Sequence, residues 1–270
     1  MIEEFYYQQD GSAKITAATI GVSKNNWTSI VQDTADNNTS NHLQIMQQNK
    51  FNVLPIVAAD GHTYEYFETA TPHDYSQTNR HRIKYKDTLP LDTSIKELIW
   101  SFALNDRVFY FLTLHGKVSG LVTVSDLNNR YVQIYIFSLI CELERTLSGF
   151  IKCNLQEQQI FNYLEEKANR NDYLKDNLER YKELNSADLA IDITEFLFLK
   201  DFFEIISKFD LYKELGYGSN EWKKIYSINE LRNSIAHPTR SLINKEQPVI
   251  TLQSRLERVD DLLFRLKHQQ

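Results

Sequence analysis

The sequence predicts a two-part protein in which an α/β domain is followed by an all-helical domain. In the first half, short runs of β-branched and aromatic residues alternate with turn residues and helical segments, a pattern typical of strands packed against helices. From Leu127 onward, apolar residues recur every three or four positions, which indicates helices. A chain of 270 residues is long enough for one or two domains, each with its own core. We therefore predict an α/β domain at 1–126 and a helical domain at 127–270.

The α/β half begins with the first copy of an internal repeat. Residues 41–50 have helical spacing, and the apolar run 51–57 predicts a strand. A turn at Asp60 and Gly61 separates this strand from a second one at 63–67. Because a glycine in the second position of a short turn adopts the required positive φ, the two strands are expected to form a hairpin.

The second copy repeats this order further along the chain. It has a helix at 94–106, a strand at 108–114, a turn at His115 and Gly116, and a strand at 118–124. Each copy is preceded by an extended segment. Two such copies predict an α/β module with pseudo-twofold symmetry, in which a ligand cleft is expected between the repeats.

Two motifs in the second copy carry a family resemblance. Asp87–Pro90 (DTLP) precedes its helix, and Gly120–Asp126 (GLVTVSD) follows its hairpin. The second copy resembles a CBS domain, and the pair resembles the tandem CBS arrangement that binds adenine nucleotides. The resemblance implies that the Thr123 hydroxyl contacts a phosphate and that Asp126 bonds a ribose. A strand end that opens onto a helix N-terminus also favours an anion at this position.

A structural role for Asp126 is an equally direct interpretation. Aspartate is a preferred N-cap residue, and a long helix is predicted immediately after it. The first copy has no T-x-x-D pattern after Gly61, so the resemblance gives no support for a second nucleotide site.

A single long helix is predicted at the junction, over 127–153. This segment contains no proline and one glycine, Gly149, and its apolar residues keep helical period throughout. A helix of that length would extend about 40 Å and would be shared by both domains, which makes it a candidate coupling element. Glu142, Glu144 and Arg145 lie on it, either as support for an active site or as exposed intrahelical charge pairs.

The rest of the second half is predicted to form further helices. Amphipathic spacing predicts helices at 155–167, 187–209 and 251–268, and the charged segment 169–185 predicts a helix–loop excursion. Gly216 and Gly218 indicate a break before the helix that carries the octet described next.

The octet Leu231–Pro238 (LRNSIAHP) contains the residues best suited to chemistry. An arginine can hold a phosphate through two parallel hydrogen bonds, and a histidine can move a proton near neutral pH. Ser227–Glu230 has the form of a capping box, which predicts a new helical turn from Ile228, and Pro238 predicts a helix end near His237.

Helical geometry places the polar residues of the octet away from the core. Asn233 and His237 lie about 40° apart around the helix, whereas Arg232 lies about 140° from His237. The buried stripe is formed by apolar residues at three- and four-residue spacing, namely Trp222, Ile225, Ile228, Leu231 and Ile235. A site that uses both Arg232 and His237 therefore requires a distorted helix end or a second subunit. Alternatively, the three polar residues are ordinary solvated surface.

The octet resembles the R-N-x-x-x-H motif of HEPN domains, all-helical modules found in many metal-independent ribonucleases. The resemblance extends over roughly 131–270, but only the octet matches residue by residue. It implies that Arg232, Asn233 and His237 are catalytic, that two chains form a composite cleft, and that the product carries a 2′,3′-cyclic phosphate. Some HEPN proteins with this motif are antitoxins or binding modules.

Composition predicts a globular cytoplasmic protein. Hydrophobic residues make up 42% of the chain, and the two cysteines, Cys141 and Cys153, have no metal-ligand spacing, so neither a disulfide framework nor a metal site is expected. The N-terminus lacks a signal-peptide pattern, and the longest apolar run is too short to span a membrane.

Net charge is −6, but basic residues outnumber acidic ones over 221–270. An RNA contact is therefore expected to be narrow and to involve Arg232, Arg240 and Lys223 or Lys224.

The leading hypothesis is a dimeric endoribonuclease that uses no cofactor for cleavage and is regulated by ATP, ADP or AMP. In it, Arg232 binds the scissile phosphate, His237 transfers a proton, and Asn233 orients the phosphate or the imidazole. The main alternative is a non-catalytic adenine-nucleotide sensor, whose helical domain mediates dimer or partner binding. A scaffold in which neither site works is a third interpretation.

Overall fold

A computed structural model describes residues 15–37, 41–105, 107–169, 171–187, 192–237 and 239–269. The described chain divides into two compact units between Val132 and Gln133. We call them the α/β unit, up to Val132, and the helical unit, from Gln133. The protein is thus a mixed α/β chain with two small sheets and several helices. Among the described residues, no helix combines the length and apolarity that a membrane crossing requires.

The α/β unit contains eight described strands and four described α-helices. The strands are β1 (Val22–Ser23), β2 (Ile30–Val31), β3 (Val53–Val57), β4 (Thr63–Thr71), β5 (Asp74–Arg82), β6 (Thr88–Pro90), β7 (Phe109–Leu114) and β8 (Lys117–Thr123). The helices are α1 (Ala17–Ile20), α2 (Gln32–Asn37), α3 (Asn41–Asn49) and α4 (Ile95–Asn105). Short 3₁₀ turns cover Tyr85–Asp87 and Val124–Asn128.

The predicted repeat is present as two sheets built on the same plan. One sheet has the order β2-β3-β4-β5 and the other β1-β8-β7-β6. In each, a short extended strand pairs in parallel with the first strand of a hairpin. Two helices, α2 and α3, lie between these strands in the first sheet, and one, α4, in the second. Gly61 and Gly116 have φ values of +77° and +74°, which confirms the turn residues expected from the sequence.

Strand β5 was not predicted from the sequence. It pairs only with β4 at the edge of its sheet, and most of its residues are exposed. An edge strand that contributes little to the core needs no alternating apolar residues, so it carries no periodic signal. Arg80 on this strand pairs with Glu65 at 2.6 Å and with Asp36 at 2.5 Å, and these ion pairs connect β5 to β4 and to α2.

Aromatic rings join the two sheets. Tyr66 on β4 lies 5.2 Å from Phe111 and 5.5 Å from Phe109, measured between ring centroids, and both phenylalanines lie on β7. Together with Val53 they form one buried cluster, against which Trp27 also packs. Aromatic pairs at these separations contribute about 0.5–1.5 kcal/mol beyond the burial of their area. The space between these strands of the two repeats is therefore packed with side chains.

The described residues of the helical unit form α-helices and turns and no strand, and its first helix begins three residues earlier, within the α/β unit. The helices are α5 (Arg130–Asn154), α6 (Glu157–Ala168), α7 (Asp172–Ser186), α8 (Leu199–Lys208), α9 (Ser219–Ile225), α10 (Ser227–Ile235) and α11 (Val249–His268). Two 3₁₀ turns cover Ile193–Phe196 and Leu211–Lys213. The helix predicted over 187–209 is wrong in its first half, where a 3₁₀ turn precedes α8; residues 188–191 lie outside the described part of the chain.

Helix α5 begins later than the sequence predicts. The expected start was Leu127, but 124–128 form a 3₁₀ turn and the α-helix starts at Arg130. Asn129 provides the cap, because its side-chain oxygen accepts a hydrogen bond from the backbone N–H of Tyr131 at 3.0 Å. The predicted apolar period holds, and α5 buries Val132, Ile136, Ile140, Leu143, Leu147, Phe150 and Ile151.

Replacing the ring at the centre of the aromatic cluster should destabilise the α/β unit. Phe111 is 0% exposed, so Phe111→Ala removes buried contacts and leaves a cavity; we expect a loss of about 3–5 kcal/mol of unfolding free energy in urea. Tyr85→Ala is the matched control, because Tyr85 is 95% exposed and should change stability by less than about 0.5 kcal/mol. Equal stability of the two variants would show that the sheets do not pack through Phe111.

Candidate functional site

The octet lies at the end of two nearly continuous helices, α9 and α10. Its predicted buried stripe is confirmed, since Trp222, Ile225, Ile228, Leu231 and Ile235 are all buried. Helix α10 ends at Ile235, where the N–H of Ala236 donates to the carbonyl of Arg232 at 3.0 Å. His237 therefore lies just beyond the helix, and Pro238 is outside the described residues.

The predicted capping box before α10 is wrong. The hydroxyl of Ser227 donates to the carbonyl of Lys224 at 2.8 Å instead of capping a new helix. The carboxylate of Glu230 pairs with the largely buried side chain of Arg255 on α11. The helix start needs no separate cap, because Tyr226 at this position has α-helical backbone angles and carries the helix forward from α9.

Arg232 is half-buried and rests on an aromatic ring. Its guanidinium carbon lies 5.0 Å from the ring centroid of Phe198, a cation–π distance. Phe198 stacks in turn on Tyr173, with ring centroids 4.6 Å apart and planes inclined by 11°. No hydrogen bond joins the Arg232 guanidinium to another residue of the described chain. Its position is thus set by ring stacking, while its N–H groups keep their capacity to bind an anion.

Glu144 on α5 provides a half-buried acid that acts electrostatically on Arg232. Burial raises the pKa of Glu144, and this rise is partly offset by the attraction of Arg232 and by a hydrogen bond from the backbone N–H of Leu199. Leu199 is the first residue of α8, next to Phe198. Glu144 therefore connects α5 to the segment that carries the ring under Arg232.

The other two charged residues predicted on this part of α5 form an ordinary ion pair. Arg145 and Glu142 approach to 2.9 Å at i,i+3 spacing, and Lys267 on α11 also reaches Glu142 at 3.2 Å. The sequence did not distinguish Glu144 from these neighbours, because the contact with Leu199 joins segments far apart in the chain.

Asn233 and His237 are both exposed. Within the described chain, neither side chain forms a hydrogen bond or an ion pair. The backbone at His237 is held in a turn, since its carbonyl accepts the N–H of Arg240 at 2.9 Å. The octet thus presents one packed cation together with an accessible amide and imidazole, the groups needed for phosphate binding and proton transfer.

Thr123 and Asp126, the predicted nucleotide ligands, bond to each other. The Asp126 carboxylate accepts the Thr123 backbone N–H at 2.7 Å and the Thr123 hydroxyl at 2.8 Å. Burial raises the pKa of Asp126, and these two hydrogen bonds act in the opposite direction. The pair closes the turn at 124–128, so the alternative interpretation of Asp126 as the N-cap of the long helix is wrong; Asn129 has that role.

A cavity of about 280 Å³ lies on the sheet of the first repeat. It is lined by Gln32, Ile56, Ala58, Tyr64, Glu65 and Arg82. Sequence reasoning missed this cavity, since its lining includes β5, the strand without a periodic signal. Among the described residues, no group of three or more His, Cys, Asp or Glu side chains is arranged to hold a metal ion.

Comparisons with known proteins give no family for this chain. No family model and no curated protein matches it. Two solved structures are similar to part of it at 17% identity. Hypoxic Response Protein I, with two coordinated zinc ions, is matched over 98% of its length and 43% of this chain, with a TM-score of 0.30. An uncharacterized conserved protein from Pyrococcus horikoshii is matched over 89% of its length and 42% of this chain, with a TM-score of 0.29. Structural scores this low support no inference about fold or function.

Removing the Asp126 carboxylate should destabilise the turn that precedes α5. Asp126→Ala loses two hydrogen bonds from Thr123, and we expect a loss of about 0.5–2 kcal/mol in urea denaturation. Ser125→Ala, an exposed change in the same turn, is the control and should be near neutral. If the two variants unfold alike, the Thr123–Asp126 bonds do not stabilise the turn.

Glu144 and Glu142 should affect the pH dependence of stability in opposite directions. The pKa of Glu144 is raised in the folded protein, so ionisation of this carboxyl reduces stability as pH rises from about 4 through the raised value. For Glu142, burial acts to raise the pKa, but bonds from Arg145 and Lys267 outweigh it and lower the pKa, so its contribution is lost as pH falls.

The measurement is urea denaturation of the two Glu→Gln variants at about pH 4 and pH 7. Relative to wild type, Glu144→Gln should gain stability between the lower and the higher pH, because glutamine never ionises. Glu142→Gln should lose stability over the same interval. The same sign for both variants would contradict the burial of Glu144.

Proposed function

We propose that this protein is a metal-independent endoribonuclease of the HEPN type, with Arg232, Asn233 and His237 as its catalytic residues. The observation that carries the proposal is the arrangement of the octet. Arg232 is positioned by the ring of Phe198 yet forms no hydrogen bond within the described chain, and Asn233 and His237 are exposed nearby in sequence. This pattern fits a site whose partner is an external anion.

In the proposed reaction, the ribose 2′-oxygen attacks the adjacent phosphorus and the bond to the 5′-oxygen breaks. Arg232 binds the phosphate and stabilises the charge that develops on its oxygens. His237 accepts the proton of the 2′-hydroxyl or donates one to the leaving 5′-oxygen. Asn233 orients the phosphate or the imidazole. The products are a 2′,3′-cyclic phosphate and a 5′-hydroxyl, and this chemistry needs no metal ion.

We propose a homodimer as the active form. Arg232 lies within α10, whereas His237 follows its end, so the helix does not hold the two side chains on one face. A cleft between two chains would supply an arginine from one copy opposite a histidine from the other. Two histidines would also provide both proton transfers, one as base and one as acid.

The α/β unit is proposed to be a tandem CBS module that binds ATP, ADP or AMP and regulates cleavage. The support is the shared plan of its two sheets, each with a parallel strand followed by a hairpin. In this proposal the Thr123 hydroxyl and Asp126 exchange their mutual hydrogen bonds for bonds to the phosphate and the ribose.

The deciding experiment is incubation of the purified protein with labelled single-stranded RNA in EDTA. We expect cleavage with 2′,3′-cyclic phosphate ends, reduced about a hundredfold or more in Arg232→Ala and in His237→Ala, because each removes a group that acts in the transition state. Arg180→Ala and His268→Ala are the matched controls, since both residues are exposed and outside the octet.

Two other results would contradict the proposed nuclease function. If the octet variants cut RNA as fast as the wild type, the active site lies elsewhere or the cleavage comes from a contaminant. If the wild type cuts no RNA with or without ATP, ADP or AMP but binds one of them in calorimetry, the non-catalytic sensor becomes the function.

A further inference from the structure

We propose that Tyr173 and Phe198 form a stacking site for an RNA base next to the phosphate held by Arg232, so that the substrate is single-stranded RNA. The inference rests on the proposed function and adds a substrate-binding element outside the octet. We call the two rings the aromatic platform.

The aromatic platform is exposed although its neighbours are core residues. Tyr173 and Phe198 keep 37% and 43% of their surface exposed, whereas Phe202 and Phe203, one turn further along α8, are buried. Two large rings held face to face in water offer apolar area that a planar ligand can cover.

The platform is also held in place by hydrogen bonds. The Tyr173 hydroxyl donates to the carbonyl of Phe196 at 3.4 Å, and the Asn177 side chain donates to the same carbonyl at 2.8 Å. The backbone N–H of Phe198 donates to the buried carboxylate of Asp201 at 2.8 Å. Rings that are ordered before binding lose little conformational freedom when a base stacks on them.

Its position beside Arg232 identifies the ligand. The guanidinium carbon lies 5.0 Å from the centroid of Phe198, so a phosphate bound to Arg232 places its own or the next nucleotide near the rings. Aromatic rings combined with arginine are the usual means by which proteins hold unpaired bases. In a duplex the bases are stacked and paired within the helix, which leaves no base face for the rings.

Binding should be measured in the His237→Ala background, so that cleavage does not consume the probe. The probe is fluorescein-labelled oligouridine, compared by anisotropy with an abasic oligomer of the same length and with oligouridine annealed to oligoadenosine. We expect Tyr173→Leu to weaken oligouridine binding about tenfold or more, because base stacking on the ring is lost. Tyr173→Phe keeps the ring and loses only the long 3.4 Å hydrogen bond to Phe196, so it should retain most of the affinity of the parent.

The abasic oligomer separates stacking from a general structural effect. It keeps the phosphates but offers no base, so Tyr173→Leu should bind it as the parent does. Tyr85→Leu removes an exposed ring from the α/β unit and should leave all affinities unchanged. Equal weakening of oligouridine and abasic binding in Tyr173→Leu, or duplex binding as tight as that of oligouridine, would overturn the proposal.

The two proposals can fail separately. If the wild type cuts RNA but Tyr173→Leu leaves oligouridine affinity and the KM of cleavage unchanged, the stacking site is rejected and the nuclease stands. If oligouridine binds in a Tyr173-dependent manner but no RNA is cut, the stacking site stands and the nuclease is rejected.

Discussion

Burial of one face of α5 is the constraint on which the helical unit depends. Its apolar residues keep helical period over the whole helix, and nearly all of that stripe is removed from water. A fully buried leucine contributes about 1.5–3 kcal/mol by burial, so the stripe outweighs any single polar contact on the helix. Because this face is fixed, Glu144 is held at the border of the core next to Leu143, where its carboxylate reaches the backbone of Leu199.

The contact between Glu144 and Leu199 is connected to the octet through Phe198. Leu199 begins α8, Phe198 precedes it, and the Phe198 ring supports the guanidinium of Arg232. Burial destabilises the charged form of Glu144, and attraction to Arg232 offsets part of this effect. Helix packing thus holds Glu144 at the edge of the core, and the Phe198 ring positions an arginine whose N–H groups remain available. Positioned charge of this kind is what phosphate chemistry requires.

In the α/β unit, the groups at the predicted nucleotide site and between the two sheets already have partners within the unit. Rings of Tyr66, Phe109 and Phe111 pack between the sheets, and Thr123 and Asp126 bond each other. A nucleotide at Thr123 and Asp126 would therefore replace bonds that already exist, so its net gain would be smaller than the number of new contacts suggests. The described cavity lies on the sheet of the first repeat, whereas the sequence predicted a ligand cleft between the repeats.

Local patterns in the sequence determined the division into an α/β half and a helical half, the two hairpins with Gly61 and Gly116, and the buried stripe of the octet helix. Each depends on periodicity or turn chemistry among near neighbours. Long-range contacts decided what the sequence left open. Edge strand β5 has no apolar period because it contributes little to the core, and Glu230 pairs with Arg255 on α11 instead of closing a capping box. Arg232 lies on Phe198 because the tertiary fold brings the residue before α8 next to α10, and local sequence spacing cannot predict this contact.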